Sequence, residues 1–244
     1  MYASESRITS LGAGVRALVV GATGGIGGAF SALLSDDPAV GELLTTGRSG
    51  ADGVTHLLDL TDEATIARAA DKIGENGPIH LIINATGLLA RPPDLLPEKT
   101  LTALDPQNMH TQFAINAIGP ALLIKHFHKL FPRDRKCVFA SLSARVGSIG
   151  DNRLGGWHSY RASKAAQNML MKGAAIELQR KRPDTVVMLL HPGTVQTGLS
   201  APFRGDRDTL TPGDAAARLL QVIDGTGPNE TGCFKDYAGK LIAW

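Results

Sequence analysis

Cysteine is scarce in this chain of 244 residues, which contains only Cys137 and Cys233. Two cysteines give no disulfide framework, and Cys137 opens an apolar run typical of a protein core. Both are therefore expected to be reduced thiols in a cytoplasmic protein. The net charge is also small, because 25 Lys and Arg residues nearly balance 23 Asp and Glu residues. A formal charge of +2 gives no argument for a nucleic-acid or membrane partner.

Long apolar runs are absent as well. The first 16 residues, MYASESRITSLGAGVR, lack the apolar stretch of a signal peptide or membrane span, so nothing suggests export. Residues 1–14 are expected to precede the domain as an extension, either disordered or the product of an upstream start codon. The seven histidines form no zinc-like cluster, since even His126 and His128, two apart on a predicted helix, face different ways. No metal site is expected.

Apolar segments and helical patterns alternate along the rest of the chain. Strands are predicted at 16–20, 43–46, 54–58, 80–84, 136–142, 185–191 and 232–236. Helices are predicted at 25–35, 62–74 with Thr61 as N-cap, 105–131, 157–182 and 212–223. Continuous apolar strands alternating with helices indicate a parallel sheet covered on both faces. We therefore expect one domain over 15–244, an α/β Rossmann-type doubly wound sheet of about seven parallel strands.

Three predicted loops are long, at 85–103, 143–156 and 193–211. Each follows a predicted strand, so all three lie at the carboxyl edge of the sheet, where open α/β sheets bind ligands. Long loops without secondary structure are uncommon unless they are functional. The sequence therefore predicts a binding site at this edge.

The first strand is followed by Gly21-Ala22-Thr23-Gly24-Gly25-Ile26-Gly27-Gly28. Glycine at 21 permits a tight turn, and glycines at 25 and 27 let a pyrophosphate and the helix approach the backbone. The helix that follows offers free N–H groups and the positive end of its dipole. This turn is typical of dinucleotide binding, although an ordinary glycine-rich loop remains an alternative.

The end of the second strand bears on the choice of nicotinamide cofactor. NAD-binding folds place an acid there to hold the ribose hydroxyls. Here that position is Gly47, and Arg48 and Ser49 follow. The planar fork of an arginine can pair with a 2′-phosphate, so NADP(H) is the preferred cofactor and NAD(H) the second. A solvated turn arginine is the alternative interpretation of Arg48.

Tyr160 and Lys164 lie four residues apart at the start of a long predicted helix and so share a face. A nearby ammonium stabilises a phenolate and lowers the tyrosine pKa. Tyrosine can then exchange a proton with a carbonyl or alcohol oxygen near neutral pH. Tyr-x-x-x-Lys alone also describes many surface pairs, so the hypothesis depends on its neighbours.

Those neighbours occur in a fixed order along nearly the whole chain. Together they resemble the motifs of the short-chain dehydrogenase/reductase family. They are the spacing Gly-x-x-x-Gly-x-Gly, Asp59-Leu60, Asn84-Ala85-Thr86-Gly87, Asn116, Tyr160-x-x-x-Lys164, and Pro192-Gly193 with Thr197. One departure is Val20, where the family usually has threonine. The stretch GSIGDN…GGWHSYRASKAA resembles the C-factor-like and sniffer-like carbonyl reductase branch, whose substrates are poorly defined.

The resemblance implies a reversible hydride transfer between NADP(H) and a carbonyl or alcohol carbon of a small molecule, in a homodimer or homotetramer. It assigns catalysis to Tyr160, Lys164, Ser143 and Asn116. It assigns cofactor binding to Gly21, Thr23, Gly24, Gly25, Ile26, Gly27, Arg48, Ser49, Asp59, Leu60, Asn84, Ala85, Gly87, Tyr160, Lys164, Pro192, Gly193, Val195 and Thr197.

Asn116 has a physical reason beyond the resemblance, because Pro120 follows four residues later in the same predicted helix. Proline has no N–H, so the carbonyl of Asn116 loses its helical partner and needs another, such as water. A water there could link Asn116 to Lys164 and relay protons to Tyr160. A simple kink of the helix is the alternative.

The serine is the least regular member of the set. The family pattern Ser-Ser-x-x-Gly, aligned on Gly147, puts Ala144 at the catalytic position and Ser143 one residue early. Successive strand side chains point to opposite faces, so Ser143 serves only if the strand ends or bulges there. We expect Ser143 to fill the role, and loss of the hydroxyl is the alternative.

Two other functions remain open. The C-factor resemblance and Ala144 also suit a nucleotide-binding signalling protein with little turnover. A sugar-nucleotide epimerase of the extended family is a further alternative, although the chain after Pro192 leaves little room for its substrate domain. Consumption of NADPH with a panel of carbonyl compounds discriminates between them.

Overall fold

The computed structural model describes residues 7–198, 203 and 208–244, and in these residues seven strands form one sheet. The order is β3-β2-β1-β4-β5-β6-β7, and every neighbouring pair is parallel. The strands are β1 (Val15–Val20), β2 (Val40–Gly47), β3 (His56–Leu57), β4 (Leu81–Asn84), β5 (Cys137–Leu142), β6 (Thr185–His191) and β7 (Cys233–Asp236). The predicted doubly wound sheet of seven parallel strands is thus confirmed.

Helices cover both faces of the sheet. They are α1 (Gly25–Ser35), α2 (Glu63–Gly74), α3 (Pro106–Phe113), α4 (Gly119–Phe127), α5 (His158–Lys181) and α6 (Pro212–Gly225). Alternate residues of β1 enter different cores: Leu18 packs with residues of α2, α4 and α5, and Val19 with residues of α1 and α6. No helix in the described part of the chain is long and apolar enough to cross a membrane.

The N-cap of α2 is Asp62, and the predicted cap Thr61 is wrong. The Asp62 carboxylate accepts a hydrogen bond from the Ala64 amide at 3.0 Å. The Thr61 hydroxyl instead donates to Asp59 at 2.7 Å. A carboxylate also complements the positive end of the helix dipole, so the helix begins one residue later than predicted.

The third strand is shorter than predicted, with two residues in place of 54–58. Thr45 and Thr55 explain the difference, because each backbone amide donates to the other's hydroxyl, at 3.0 and 3.1 Å. These side-chain bonds compete with ladder bonds, although the Thr55 amide also donates to the Thr45 carbonyl at 3.2 Å. β2, by contrast, begins at Val40, three residues before the predicted strand.

The helix predicted over 105–131 is interrupted by a π-helical turn at Ala114–Ile118, between α3 and α4. The Gly119 amide donates to the carbonyl of Ala114, five residues back. Pro120 follows directly, and its missing N–H and its ring explain why the regular pattern breaks here. The turn contains Asn116.

The described part of the predicted N-terminal extension, from Arg7 onward, packs on the domain. Ile8 and Leu11 are buried in the core on the α1 and α6 face. The Thr9 hydroxyl donates to the Asp224 carboxylate at 2.9 Å, and the Lys136 ammonium donates to the Ser10 hydroxyl at 2.7 Å. These residues belong to the folded unit, whereas residues 1–6 lie outside the described part.

Candidate active site

A cavity of about 800 Å³ opens at the carboxyl edge of the sheet, where β1 and β4 lie side by side. The chain leaves β1 for α1 on one face, whereas α4, which precedes β5, packs on the other. Such a divergence leaves a crevice at the strand ends. All three predicted long loops contribute to its wall: the first through six residues between Ala85 and Arg91, the second through Ser143, and the third through Thr197 and Gly198.

The glycine-rich turn forms the floor of this cavity. Gly21 has a φ of +84°, a conformation that favours glycine. A Cβ on Gly27 would lie 2.1 Å from the Gly21 carbonyl oxygen, so only glycine lets α1 approach the turn. α1 begins after Gly24 with no side-chain cap, whereas α2, α3 and α6 each have one. Its first turn can therefore accept an anion as its cap.

The end of β2 leaves little room for an acidic side chain. Gly47 is buried, and a Cβ there would lie 3.0 Å from a Val54 methyl group. Arg48 follows, exposed and on the cavity wall. The Thr46 hydroxyl, also on the wall, is buried and has no hydrogen-bond partner within the described residues. This end of the cavity thus offers a cation and an unused hydroxyl.

Asp59 lies across the same end of the cavity, where its carboxylate accepts hydrogen bonds from the amide and the hydroxyl of Thr61 at 2.8 and 2.7 Å. These bonds, and to a smaller extent the charge of Arg48, hold the pKa of Asp59 below its usual value. Among the described residues of the wall, Asp59 is the one carboxylate, against the basic side chains of Arg48, Arg91 and Lys164. The described part of the wall therefore carries more basic than acidic groups.

Tyr160 lies on the first turn of α5 and Lys164 one turn later, and both line the cavity. Their exposures are only 7% and 2%. Burial raises the pKa of Tyr160 and lowers the pKa of Lys164 to about 7. In the protein without a bound ligand, burial therefore has a larger effect on the pKa of Tyr160 than the lowering expected from Lys164.

The start of α5 is held by a loop residue. The buried Glu98 carboxylate accepts hydrogen bonds from the Ser159 amide at 3.2 Å and from the Ser159 hydroxyl. The Glu98 carbonyl accepts from the amide of Trp157, which has a φ of +49°. Glu98 thus caps the helix in place of a local side chain and fixes the turn that carries Tyr160. Nothing in the sequence signalled this contact.

Within the described residues, Lys164 is held by two carbonyl oxygens. Its ammonium donates to the Leu142 carbonyl at 3.0 Å and to the Gln167 side-chain oxygen at 2.9 Å. The Gln167 amide nitrogen donates to the Ser141 hydroxyl at 2.8 Å, and Ser141 also accepts from Asn84 at 2.8 Å. Because its nitrogen is committed to Ser141, the Gln167 oxygen must face Lys164.

Ser143 continues the β5 pairing, since its amide donates to the Leu190 carbonyl at 2.8 Å. Its side chain lines the cavity, and Ala144 is not among the lining residues. The Ser143 hydroxyl donates to the Asn168 side-chain oxygen at 2.6 Å, and the Asn168 nitrogen faces the Gly147 carbonyl at 3.4 Å. With its proton directed to Asn168, the Ser143 oxygen can accept a hydrogen bond from the cavity.

Asn116 is 1% exposed and lies behind the cavity wall. Its side-chain oxygen accepts from the Leu88 amide at 2.7 Å, and its nitrogen donates to the Leu88 carbonyl at 2.8 Å and to Ser163 at 3.0 Å. A Cβ on Gly87 would lie 3.6 Å from the Lys164 nitrogen and 3.7 Å from the Asn116 oxygen. Asn116 therefore fixes the loop after β4 beside Lys164.

Fifteen of the predicted site residues line the cavity. They are Gly21, Thr23, Gly24, Gly25, Ile26, Arg48, Asp59, Leu60, Ala85, Gly87, Ser143, Tyr160, Lys164, Pro192 and Thr197. The other predicted residues, Gly27, Ser49, Asn84, Asn116, Gly193 and Val195, are not among the lining residues. Asn84, for example, is fully buried and bonds to Ser141 and Thr86.

Several wall residues were missed from the sequence. They include Thr46, Leu58, Thr86, Leu88, Ala90, Arg91, Thr111 and Ile115. Thr111 and Ile115 are four residues apart, a spacing that places them on one helical face and was available as a signal. Part of the loop 193–211, at 199–202 and 204–207, lies outside the described residues.

The fold and the cavity together define a Rossmann-type α/β protein with a tyrosine–lysine pair at its ligand-binding edge. A model of the short chain dehydrogenase family matches residues 16–208. The chain therefore belongs to the short-chain dehydrogenase/reductase family of oxidoreductases.

Two relatives and one solved structure show the extent of the similarity. The chain is 33% identical to 1-hydroxy-2-glutathionyl-2-methyl-3-butene dehydrogenase of Rhodococcus sp. (strain AD45), over 93% of this chain and 98% of that one. It is 34% identical to C-signal of Myxococcus xanthus over 69% and 94%, in line with the predicted C-factor-like branch. NADPH-bound carbonyl reductase from chicken fatty liver superposes with a TM-score of 0.81 at 26% identity, over 95% and 100%.

Proposed function

We propose that this enzyme transfers hydride between NADP(H) and a carbonyl or alcohol carbon of a small molecule. The observation that carries the proposal is that Tyr160 and Lys164 line the same cavity as the glycine-rich turn and Arg48. The chicken carbonyl reductase, which binds NADPH, supports the same cofactor class. After Pro192 the described chain forms α6 and β7, and β7 belongs to the single sheet. These elements are part of the Rossmann-type domain and not of a separate substrate domain, which disfavours the epimerase alternative.

The residues present suit a phosphorylated dinucleotide. The uncapped first turn of α1 would hold the pyrophosphate, Arg48 the 2′-phosphate, and Asp59 the adenine ring. Lys164 would hold the nicotinamide ribose, and a phosphate-bearing ligand would favour its charged form. When bound, NADPH supplies the hydride for carbonyl reduction.

The protein's own groups supply the proton. The Tyr160 hydroxyl donates it to the carbonyl oxygen, and the Lys164 ammonium stabilises the phenolate left behind. The Ser143 oxygen fixes the phenol beside the substrate, and Asn116 holds the Leu88 backbone against Lys164. A water between Lys164 and the Asn116 region would return protons to Tyr160.

The direct test is the oxidation of NADPH with a panel of aldehydes, ketones and quinones, followed by absorbance. Turnover with at least one class supports the proposal. NADPH binding without turnover on any member would contradict it and favour the signalling alternative.

We expect the protein to bind NADPH at least about tenfold more tightly than NADH, or ~1.5 kcal/mol, because Arg48 pairs with the extra phosphate. Arg48→Ala should remove this preference and leave NADH affinity unchanged. Fluorescence titration of both cofactors measures it, with Arg68→Ala, an exposed arginine of α2, as the matched control. Equal affinities in the wild type, or no effect of Arg48→Ala, would contradict the assignment.

Gln167 should set the pH range of carbonyl reduction. The reaction needs charged Lys164, so kcat/KM should fall as pH rises through the pKa of that lysine. Gln167→Met removes an acceptor of the ammonium and should move this alkaline limb to lower pH, whereas Gln167→Glu adds a negative charge and should move it to higher pH. Shifts of both variants in one direction, or none, would show that Gln167 only packs.

We also propose a homodimer or homotetramer. Met169, Leu170 and Ile176 are exposed apolar side chains on α5, with relative exposures of 72%, 43% and 46%. A second copy could cover them through the same face across a two-fold axis. Light scattering at micromolar concentration should give a multiple of 25.7 kDa, and a pure monomer would contradict this proposal.

A further inference from the structure

We propose that Arg91 binds a carboxylate on the substrate, so that the preferred substrates are carbonyl compounds carrying an acidic group. The inference rests on the proposed carbonyl reduction and adds a substrate class to it. It follows from the partners of Arg91, its place in the fold and the charge of the cavity.

Among the described residues, Arg91 and Arg48 are the two exposed arginines on the cavity wall. Its guanidinium makes no hydrogen bond or ion pair within the part of the chain that the structure describes, although its backbone is tightly held. The Arg91 amide donates to the Leu95 carbonyl at 2.8 Å, and the Leu95 amide donates back at 2.9 Å. Leu95 is buried, so it anchors this small loop to the protein. The backbone at Arg91 is therefore fixed, and the five N–H donors of its guanidinium can bind a ligand.

The loop that carries Arg91 contacts the catalytic helix at both ends. At its start, a Cβ on Gly87 would lie 3.6 Å from the Lys164 nitrogen. At its end, Glu98 caps the first turn of α5 beside Tyr160. Along the chain, Arg91 lies between these two anchors, four residues after Gly87. It lines the same cavity as Tyr160 and Lys164.

Arg48 occupies the other end. It follows β2, which is separated from β4 by β1. Neighbouring strands are about 4.8 Å apart, so the ends of β2 and β4 are about 10 Å apart. The segments that carry the two arginines therefore leave the sheet at different places. This separation would let Arg48 bind the far end of the cofactor while Arg91 binds a second anion.

Charge favours an anionic group at Arg91. Asp59, the one carboxylate among the described wall residues, is on the Arg48 side and already accepts two hydrogen bonds from Thr61. Within the described residues, Arg91 therefore has no anion in the cavity to neutralise it. A guanidinium pairs with a carboxylate through two parallel hydrogen bonds, which also orients the bound molecule.

The test compares carboxylated aldehydes with uncharged analogues of the same shape. The substrates are 3- and 4-carboxybenzaldehyde and their methyl esters, with NADPH and wild type, Arg91→Gln and Arg68→Gln. We expect the wild type to prefer at least one acid over its ester. Arg91→Gln should lower kcat/KM for that acid about tenfold through KM and leave the ester unchanged. Arg68→Gln should change neither.

A binding measurement removes the dependence on turnover. Calorimetry should show that the wild-type protein–NADPH complex binds benzoate more tightly than benzamide. This difference in affinity should be lost in Arg91→Gln. Turnover of the esters without any preference for the acids would overturn the role of Arg91 and leave the proposed function standing. A weaker NADPH affinity in Arg91→Gln would assign the arginine to the cofactor and also overturn it. No turnover on any aldehyde would overturn the proposed function itself.

Discussion

Tyr160→Phe is expected to lower kcat for carbonyl reduction by about 10²–10⁴-fold, the usual contribution of a positioned proton donor. NADPH affinity should stay nearly unchanged, because the phenylalanine ring keeps the edge contact that Tyr160 makes with Trp157, with ring centroids 6.3 Å apart. Stopped-flow or steady-state NADPH oxidation measures the first quantity, and fluorescence titration the second.

The matched control is Tyr237→Phe. The Tyr237 ring packs on Gly193, where a Cβ would lie 2.8 Å from it, and this contact does not need the hydroxyl. Tyr237 is not among the residues that line the cavity at the sheet edge. Its variant should keep wild-type turnover. If Tyr160→Phe retained more than a tenth of the wild-type rate, the acid would have to be sought elsewhere.

Ser143→Ala should lower kcat/KM by about 10²-fold, the low end of the contribution of a positioned proton donor, because the Ser143 oxygen fixes the phenol that donates the proton. Ala144→Ser should not raise kcat/KM, because Ser143 lines the cavity and Ala144 is not among its lining residues. The measurement is kcat/KM on one reducible carbonyl for both variants.

Ser143→Ala also leaves the Asn168 oxygen without its 2.6 Å partner. A buried acceptor left unpaired costs about 1–3 kcal/mol of stability, so the melting temperature of the variant should fall as well. Assays well below that temperature separate the two effects. An unchanged rate for Ser143→Ala with a gain for Ala144→Ser would show that the enzyme works without Ser143.

Much of the architecture was predictable because the responsible forces are local. Continuous apolar strands can only be buried on both faces, and this gave the parallel sheet. The loops after those strands then had to meet at one edge. Tyr160 and Lys164 could be paired because a helix repeats every 3.6 residues. The glycine turn could be interpreted because its positions restrict backbone conformation.

The contacts that tune the site depend on packing between distant segments. Glu98 reaches Ser159 from 61 residues away, and nothing in either local sequence announces it. Whether Ser143 or Ala144 faces the cavity depends on how far β5 pairs with β6. Gln167 is the exception, since it lies three residues after Lys164 and so shares its face of the helix. That spacing was a signal that could have been used.

Hydride transfer is tested most directly by following the hydride itself. NADPH deuterated at C4 of the nicotinamide on either face is incubated with the enzyme and a reducible aldehyde, and the alcohol is analysed by mass spectrometry. Deuterium from one face should appear at the former carbonyl carbon, and Tyr160→Phe should abolish the transfer while still binding the cofactor. Bound NADPH with no deuterium in any product would contradict it.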